Sequence, residues 1–145
     1  NTKFRRAYAM ACIHFRNLMN MWHEIEQREL SAIEAIKHAK DGIIFSEERL
    51  GVNETMNATD NFVVVTPRSG DEYTINSLNE GIEIDFSTRC PAPVEWRGLS
   101  DKDLNKASGF KDMVFCHKSG FITIVKGKEN ALAVAKEIIK QHKQG

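Results

Sequence analysis

From Asn1 to Asp41 the chain contains neither glycine nor proline. Within that uninterrupted stretch, apolar side chains recur at Phe4, Tyr8, Ala11, Phe15, Leu18, Trp22 and Ile25, in alternating steps of four and three. This is the period of one face of an α-helix. Leu30, Ile33 and Ile36 continue the stripe after a polar stretch. As one rod the segment would reach about 50 Å at 1.5 Å per residue, and a break between Gln27 and Ser31 is equally compatible with the pattern. It is the longest element the chain can form, so the compact part must be built by the residues beyond Asp41.

The same spacing suits a coiled-coil dimer. Met10, Ile13, Met19 and Met21 broaden one side of the stripe, which favours packing against a sheet. The helix is expected to stop at Asp41-Gly42. Ile43-Ile44-Phe45 then reads as a short buried strand, and polar Ser46 to Asp60 as a surface excursion with no functional role. Phe62 to Thr66 and Tyr73 to Asn76, joined by Arg68-Ser-Gly-Asp71, read as a hairpin. Ile82 to Phe86 alternates strictly, as either an edge strand or an extended loop. The two prolines of Cys90-Pro-Ala-Pro-Val94 keep that stretch out of a central ladder.

Ser100, with Asp103 three positions on, resembles a capping box opening a short helix that ends by Gly109. Met113 to Lys128 is the densest apolar run of the C-terminal half, broken at His117 to Gly120. Two strands joined by a tight turn account for it most simply. Glu129 to Gln141 repeats Ala131, Val134, Ala135, Ile138 and Ile139 on one face, a final helix. The expected fold is α+β: a mostly antiparallel sheet packed by a long N-terminal helix or helix pair, a short middle helix and a C-terminal helix. Residues 1–42 form the helical segment and 43–145 the α+β body.

Charge narrows the function. Lys plus Arg and Asp plus Glu both total 20, so the net charge is zero. There is no basic balance of the kind that drives non-specific nucleic-acid binding, so phosphate recognition must be local. Cys12, Cys90 and Cys116 are odd in number and far apart, which argues against a disulfide framework or structural zinc site and fits a reducing, intracellular compartment. No apolar run is long enough for a membrane span. Asn53-Glu-Thr55 and Asn57-Ala-Thr59 match the glycosylation triplet, a pattern frequent by chance. The chain opens in a helical pattern with neither Met nor a secretion signal, so it reads as a segment of something longer.

Zincin, dinucleotide, phosphate-loop and nucleophile-elbow motifs are all missing. His14, His23 and His38 are scattered on the long helix, solvated or half-buried. His117 has better neighbours. Its imidazole, the Ser119 hydroxyl and the backbone N–H groups around Gly120 can converge on one anion, with Lys126 or Lys128 adding charge. Alternatively, His117 caps the turn and the lysines are ordinary surface. Trp96-Arg97-Gly98-Leu99 is the second candidate. Tryptophan and arginine can stack on a base or grip a phosphate; otherwise Trp96 anchors the loop and Arg97 pairs with a carboxylate.

At these motifs a family resemblance emerges. Pro93-Val-Glu-Trp-Arg-Gly-Leu99, Ser108-Gly109, Val114-Phe-Cys-His-Lys-Ser-Gly-Phe-Ile122 and Glu129 to Ala135 resemble, in order and spacing, the C-terminal half of the melanocyte proliferating gene 1 exonuclease family of the DHH phosphoesterase superfamily. The Phe4-Arg-Arg-Ala7 helix is similar to that family's long helix after its catalytic domain. The resemblance implies a metal-dependent phosphodiesterase, a 3′-to-5′ RNA exonuclease of mitochondria or nucleus, also labelled a metal-dependent protein hydrolase. Its Mn or Mg ions would be held by the N-terminal catalytic domain. This chain would supply no catalytic residue and bind no metal. It would contact RNA or a nucleotide phosphate through Arg97, His117, Ser119, Gly120 and Lys126, and pack on the N-terminal domain of the same protein. Other expectations are an intracellular (mitochondrial, nuclear or cytoplasmic) location, no membrane and a possible homodimer. Where family members often carry Gly-Gly-His and then Arg, this chain has Thr123-Ile124-Val125 and Lys126. That exchange loses the close backbone approach glycine permits and the arginine fork. The alternative is a non-catalytic module whose helix docks a partner or dimerises.

Overall fold

The computed structural model describes residues 1–80 and 87–145. Helix α1 runs unbroken over Thr2–Lys37, 36 residues or about 54 Å. The Asn1 side chain caps its start by accepting from the Phe4 N–H. The strong helix formers of Glu26 to Leu30 carry it through the stretch where the pattern allows a break. Next come β1 (Ile43–Phe45), the short α2 (Glu54–Asn57), β2 (Val63–Pro67), β3 (Glu72–Ser77), a 3-10 turn (Val94–Trp96), α3 (Asp101–Ser108), β4 (Met113–Cys116), β5 (Ile122–Lys126) and α4 (Lys128–Gln144). The strands form one sheet in the order β1-β2-β3-β5-β4. β1 lies parallel to β2 and the other pairs are antiparallel. The fold is α+β, as the pattern of elements requires.

Both faces of the sheet are used. Val63 and Val65 point to one side, where Ala131, Val134, Ala135, Ile138 and Ile139 of α4 pack with Trp96 and Leu104. Val64 and Ile44 point to the other, against Ala32 and Ala35 of α1 with Leu50, Met56 and Leu78. Alternation along β2 serves two separate cores because successive side chains leave a strand on opposite faces. Burying each of these valines and isoleucines contributes about 1.5–3 kcal/mol.

The expectation that the sheet covers the α1 stripe holds only near the end of the helix, where Ala32 and Ala35 are buried and Ile36 partly so, while Ile33 stays exposed. Phe4, Tyr8, Phe15 and Trp22 stay 66–68% exposed, and Met10, Ile13, Leu18, Met19, Met21, Ile25 and Leu30 are exposed too. The reason is size. A strand of six residues spans roughly 20 Å, well under half the length of α1.

Ser46 to Asp60 is more than a surface excursion, because Leu50 and Met56 are buried in the second core. Asn53 caps α2 by accepting from the Met56 N–H at 2.9 Å. Arg89 ties down the far end, donating to the carbonyls of Asn57 and Asn61 at 2.6 Å each and to that of Thr59. The Asn57 side chain accepts from the Asn79 N–H, so both triplet asparagines serve the fold. The capping box at Ser100 does not form: Ser100 holds the N-cap position, but its hydroxyl makes no capping bond. Gly109 ends α3 in the left-handed region at φ 75°. The strand expected over Ile82 to Phe86 lies outside the described residues.

Candidate functional site

Two motifs far apart in sequence meet at the outer edge of β4. The β4–β5 turn is closed by His117 N–H to the Ile122 carbonyl (2.9 Å) and Gly120 N–H to the His117 carbonyl (2.8 Å). Along the edge of β4 runs the Trp96-Arg97-Gly98-Leu99 segment: Gly98 N–H donates to the Cys116 carbonyl and Cys116 N–H to the Leu99 carbonyl, both at 3.0 Å. Trp96 anchors the segment in the core, edge-on to Phe110 at 6.3 Å. These bonds fix where the Arg97 side chain leaves the backbone.

Arg97 Nε donates to the Ala92 carbonyl at 2.8 Å, and Ala92 N–H donates to the Gly120 carbonyl at 2.8 Å. The guanidinium therefore lies against the backbone of Gly120. A Cβ at Gly120 would stand 2.8 Å from Arg97 Nε and 3.1 and 3.2 Å from Ala92 N and O. With φ at 77°, Gly120 is needed both for its backbone conformation and for the space it leaves.

His117 is held from one side. Its Nδ1 accepts the Ser119 N–H at 3.2 Å and lies 2.6 Å from the Ser119 hydroxyl. A backbone N–H can only donate, so Nδ1 carries the lone pair and the neutral ring bears its proton on Nε2. The ring sits 4.6 Å from that of Phe121 and edge-on to Phe115. Among the described residues, neither His117 Nε2 nor the terminal Arg97 nitrogens make a hydrogen bond. The exposed Lys118 follows His117 in the turn, with its Cβ facing Gly98. The buried thiol of Cys116 is pushed up by burial, against the opposing pull of the Thr123 hydroxyl and the Arg97 charge. The Arg97 guanidinium, the His117 Nε2–H and the Lys118 ammonium are thus carried by two backbone segments that meet at this edge, and they are groups of the kind that bind a phosphate.

Not every expected group takes part. The Gly120 and Ser119 N–H groups are spent inside the turn, and the Ser119 hydroxyl is engaged by His117, so the capping reading of His117 also holds. Arg97 pairs with a carbonyl, not a carboxylate, and Trp96 is too deeply buried to stack on a base. Lys126 stands at the far end of β5, opposite Glu72 and about 13 Å of strand from Ile122, because each residue advances 3.3 Å. Lys128 lies beyond it, over the Phe45 ring and paired with Glu47, which raises its pKa. Sequence reasoning misses Lys118, although its place inside the turn is signal enough. Thr123, Ile124 and Val125 are buried, so the stretch where the family often carries two glycines is core strand here.

Beside the corner opens a cleft of about 660 Å³, with Ser119 and Phe121 on its rim and Asn53, Asn57, Asn76 and Asn79 along it. Among the described residues, no three His, Cys, Asp or Glu side chains are grouped so as to hold a metal ion. No described helix is long and apolar enough to cross a membrane.

A family model, MYG1_exonuc, described as an uncharacterised protein family (UPF0160), matches residues 1–139. The chain is 35% identical over 80 residues to "MYG1 protein" of Dictyostelium discoideum, covering 55% of this chain and 24% of that one. It is 35% identical over 80 residues to "MYG1 exonuclease" of Homo sapiens, covering 55% and 21%. It is 30% identical over 113 residues to "MYG1 exonuclease" of Rattus norvegicus, covering 77% and 29%. The chain thus spans under a third of the length of the curated relatives it matches. No solved structure matches it.

Proposed function

This chain belongs to the MYG1_exonuc family, and from that premise we propose that it is the substrate-gripping part of a phosphodiesterase that digests RNA from an end. The exonuclease name carried by mammalian relatives supports the reaction class. The observation that carries the assignment to this chain is the docking of Arg97 against Gly120, which brings the Trp-Arg-Gly-Leu and His-Lys-Ser-Gly motifs to one corner.

In this reading the guanidinium of Arg97 and the Nε2–H of His117 each donate to a phosphate oxygen, and Lys118 supplies charge from outside. The charge-assisted bonds fix the phosphate while the adjoining cleft receives the nucleotide attached to it. Among the described residues, none fit a metal centre. Mn or Mg ions belong, in this proposal, to polypeptide outside this chain, and the grip on the phosphate does not depend on them. Ser119 and Gly120 act by shaping the turn, and Lys126 has no part.

The test is binding of a short single-stranded RNA as a function of salt. Arg97→Ala removes one phosphate contact, so affinity drops and the salt slope shrinks by about 0.7. His117→Ala weakens binding several-fold. If both variants keep their circular dichroism spectra and bind RNA as the parent does, the corner is scaffold and the reading fails.

A further inference from the structure

The apolar stripe of α1 has a face, a register and an obstacle, and together they select its occupant. Written as heptads, Tyr8, Phe15 and Trp22 fall at a and Ala11, Leu18 and Ile25 at d, an apolar seam about 27 Å long with no charge in it. All but Ala11 are large apolar residues left exposed, and Met19 and Met21 flank them at e and g. Two turns further on, Ala32 and Ala35 continue the same side of the helix, and these are buried in the chain's own sheet core. The exposed seam therefore runs, past Glu29 at the next a position, toward an existing interface.

We propose that a second copy of this chain covers the seam, running antiparallel. A parallel partner is blocked, because each copy's sheet domain occupies the seam side at Ala32 and Ala35 and two domains would need the same space. It would also set Tyr8, Phe15 and Trp22 each against its own copy. In the antiparallel register that pairs Tyr8 with Ile25, Trp22 falls opposite Ala11 and Phe15 opposite Leu18, large against small or medium throughout. Arg5 and Glu26, both at e, then face each other across the dyad, making two symmetric ion pairs. Sliding the partner by one heptad puts Trp22 on Phe4 and leaves Arg5 beside Met19. The three aromatic residues of each copy bury on the order of 100 Å² apiece, and Leu18, Met19, Met21 and Ile25 carry the total past the roughly 1,000 Å² that a specific interface needs.

Sedimentation of the 145-residue chain is expected to give twice its 16.5 kDa mass. Arg5→Glu alone and Glu26→Arg alone each weaken the dimer several-fold, and the double swap restores it. Trp22→Ala gives a monomer of unchanged helicity. Mutual rescue is the decisive readout, because only this register joins those two positions. Dimers insensitive to the swaps overturn the arrangement. So do polydisperse aggregates, or a monomer whose stripe binds an apolar dye, which would assign the seam to flanking polypeptide of the kind the longer relatives carry.

Discussion

Helices α1 and α4 carry the same kind of sequence and meet opposite fates. Both present apolar residues at three- and four-residue steps with lysine, arginine or glutamate opposite. In α4 the stripe Ala131, Val134, Ala135, Ile138 and Ile139 is buried against the sheet; in α1 only Ala32 and Ala35 are. A 17-residue helix is matched to the sheet it lies on, whereas a 36-residue helix overruns it. Periodicity marks which face leaves water. What meets that face is decided by the dimensions of its neighbour.

The contrast can be broken most directly by truncation. Ile138→Ala opens a cavity in the main core and should cost about 2–5 kcal/mol in urea unfolding. Phe15→Ala, in protein too dilute to associate, should cost less than about 0.5 kcal/mol. Equal losses would mean that the first thirty residues of α1 pack on their own domain after all.

A finer cut locates where α1 passes from uncovered to covered. Ala32→Leu overfills a fully buried site and should cost about 1–3 kcal/mol. Ala11→Leu should leave the unfolding midpoint of dilute protein in place. A cost at both positions would move the boundary toward the N-terminus.

The smallest effect is chemical. Cys12 is exposed on α1 while Cys90 and Cys116 are buried, so a thiol reagent should label one cysteine in native protein too dilute to associate and three in urea. Burial pushes the Cys90 thiol up from 9.0 to about 11, and the nearby Lys143 only partly offsets it. A raised folded-state value favours the neutral thiol. The stability it represents is complete below pH 9, where the unfolded thiol is also neutral, and is lost as pH rises toward about 11. Cys90→Ala should flatten that alkaline decline. Labelling of Cys90 as fast as Cys12 at neutral pH would show that the core opens freely.

Much of this molecule is legible in its residues. The hairpin of β2 and β3, the β4–β5 pair around His117 to Gly120 and the last helix follow from β-branched runs, turn residues and a helical period. The segment around Met56 is not legible in that way, since its order rests on Asn53 and on Arg89, whose carbonyl partners lie 28 to 32 positions away. At the site, the turn and the Arg97 loop each stand out alone. That Arg97 rests on Gly120, that the turn consumes its own N–H groups and that Lys126 is a strand's length away are all long-range facts.

The sequence by itself determined the helices, the strand-turn-strand corner and the zero net charge, because those depend on neighbours within a few positions or on simple sums. Only the tertiary structure decided which polar groups share a corner and which apolar face goes without cover. Strand advance, sheet width and the reach of one side chain across the chain set those outcomes, and none of them is written in local order.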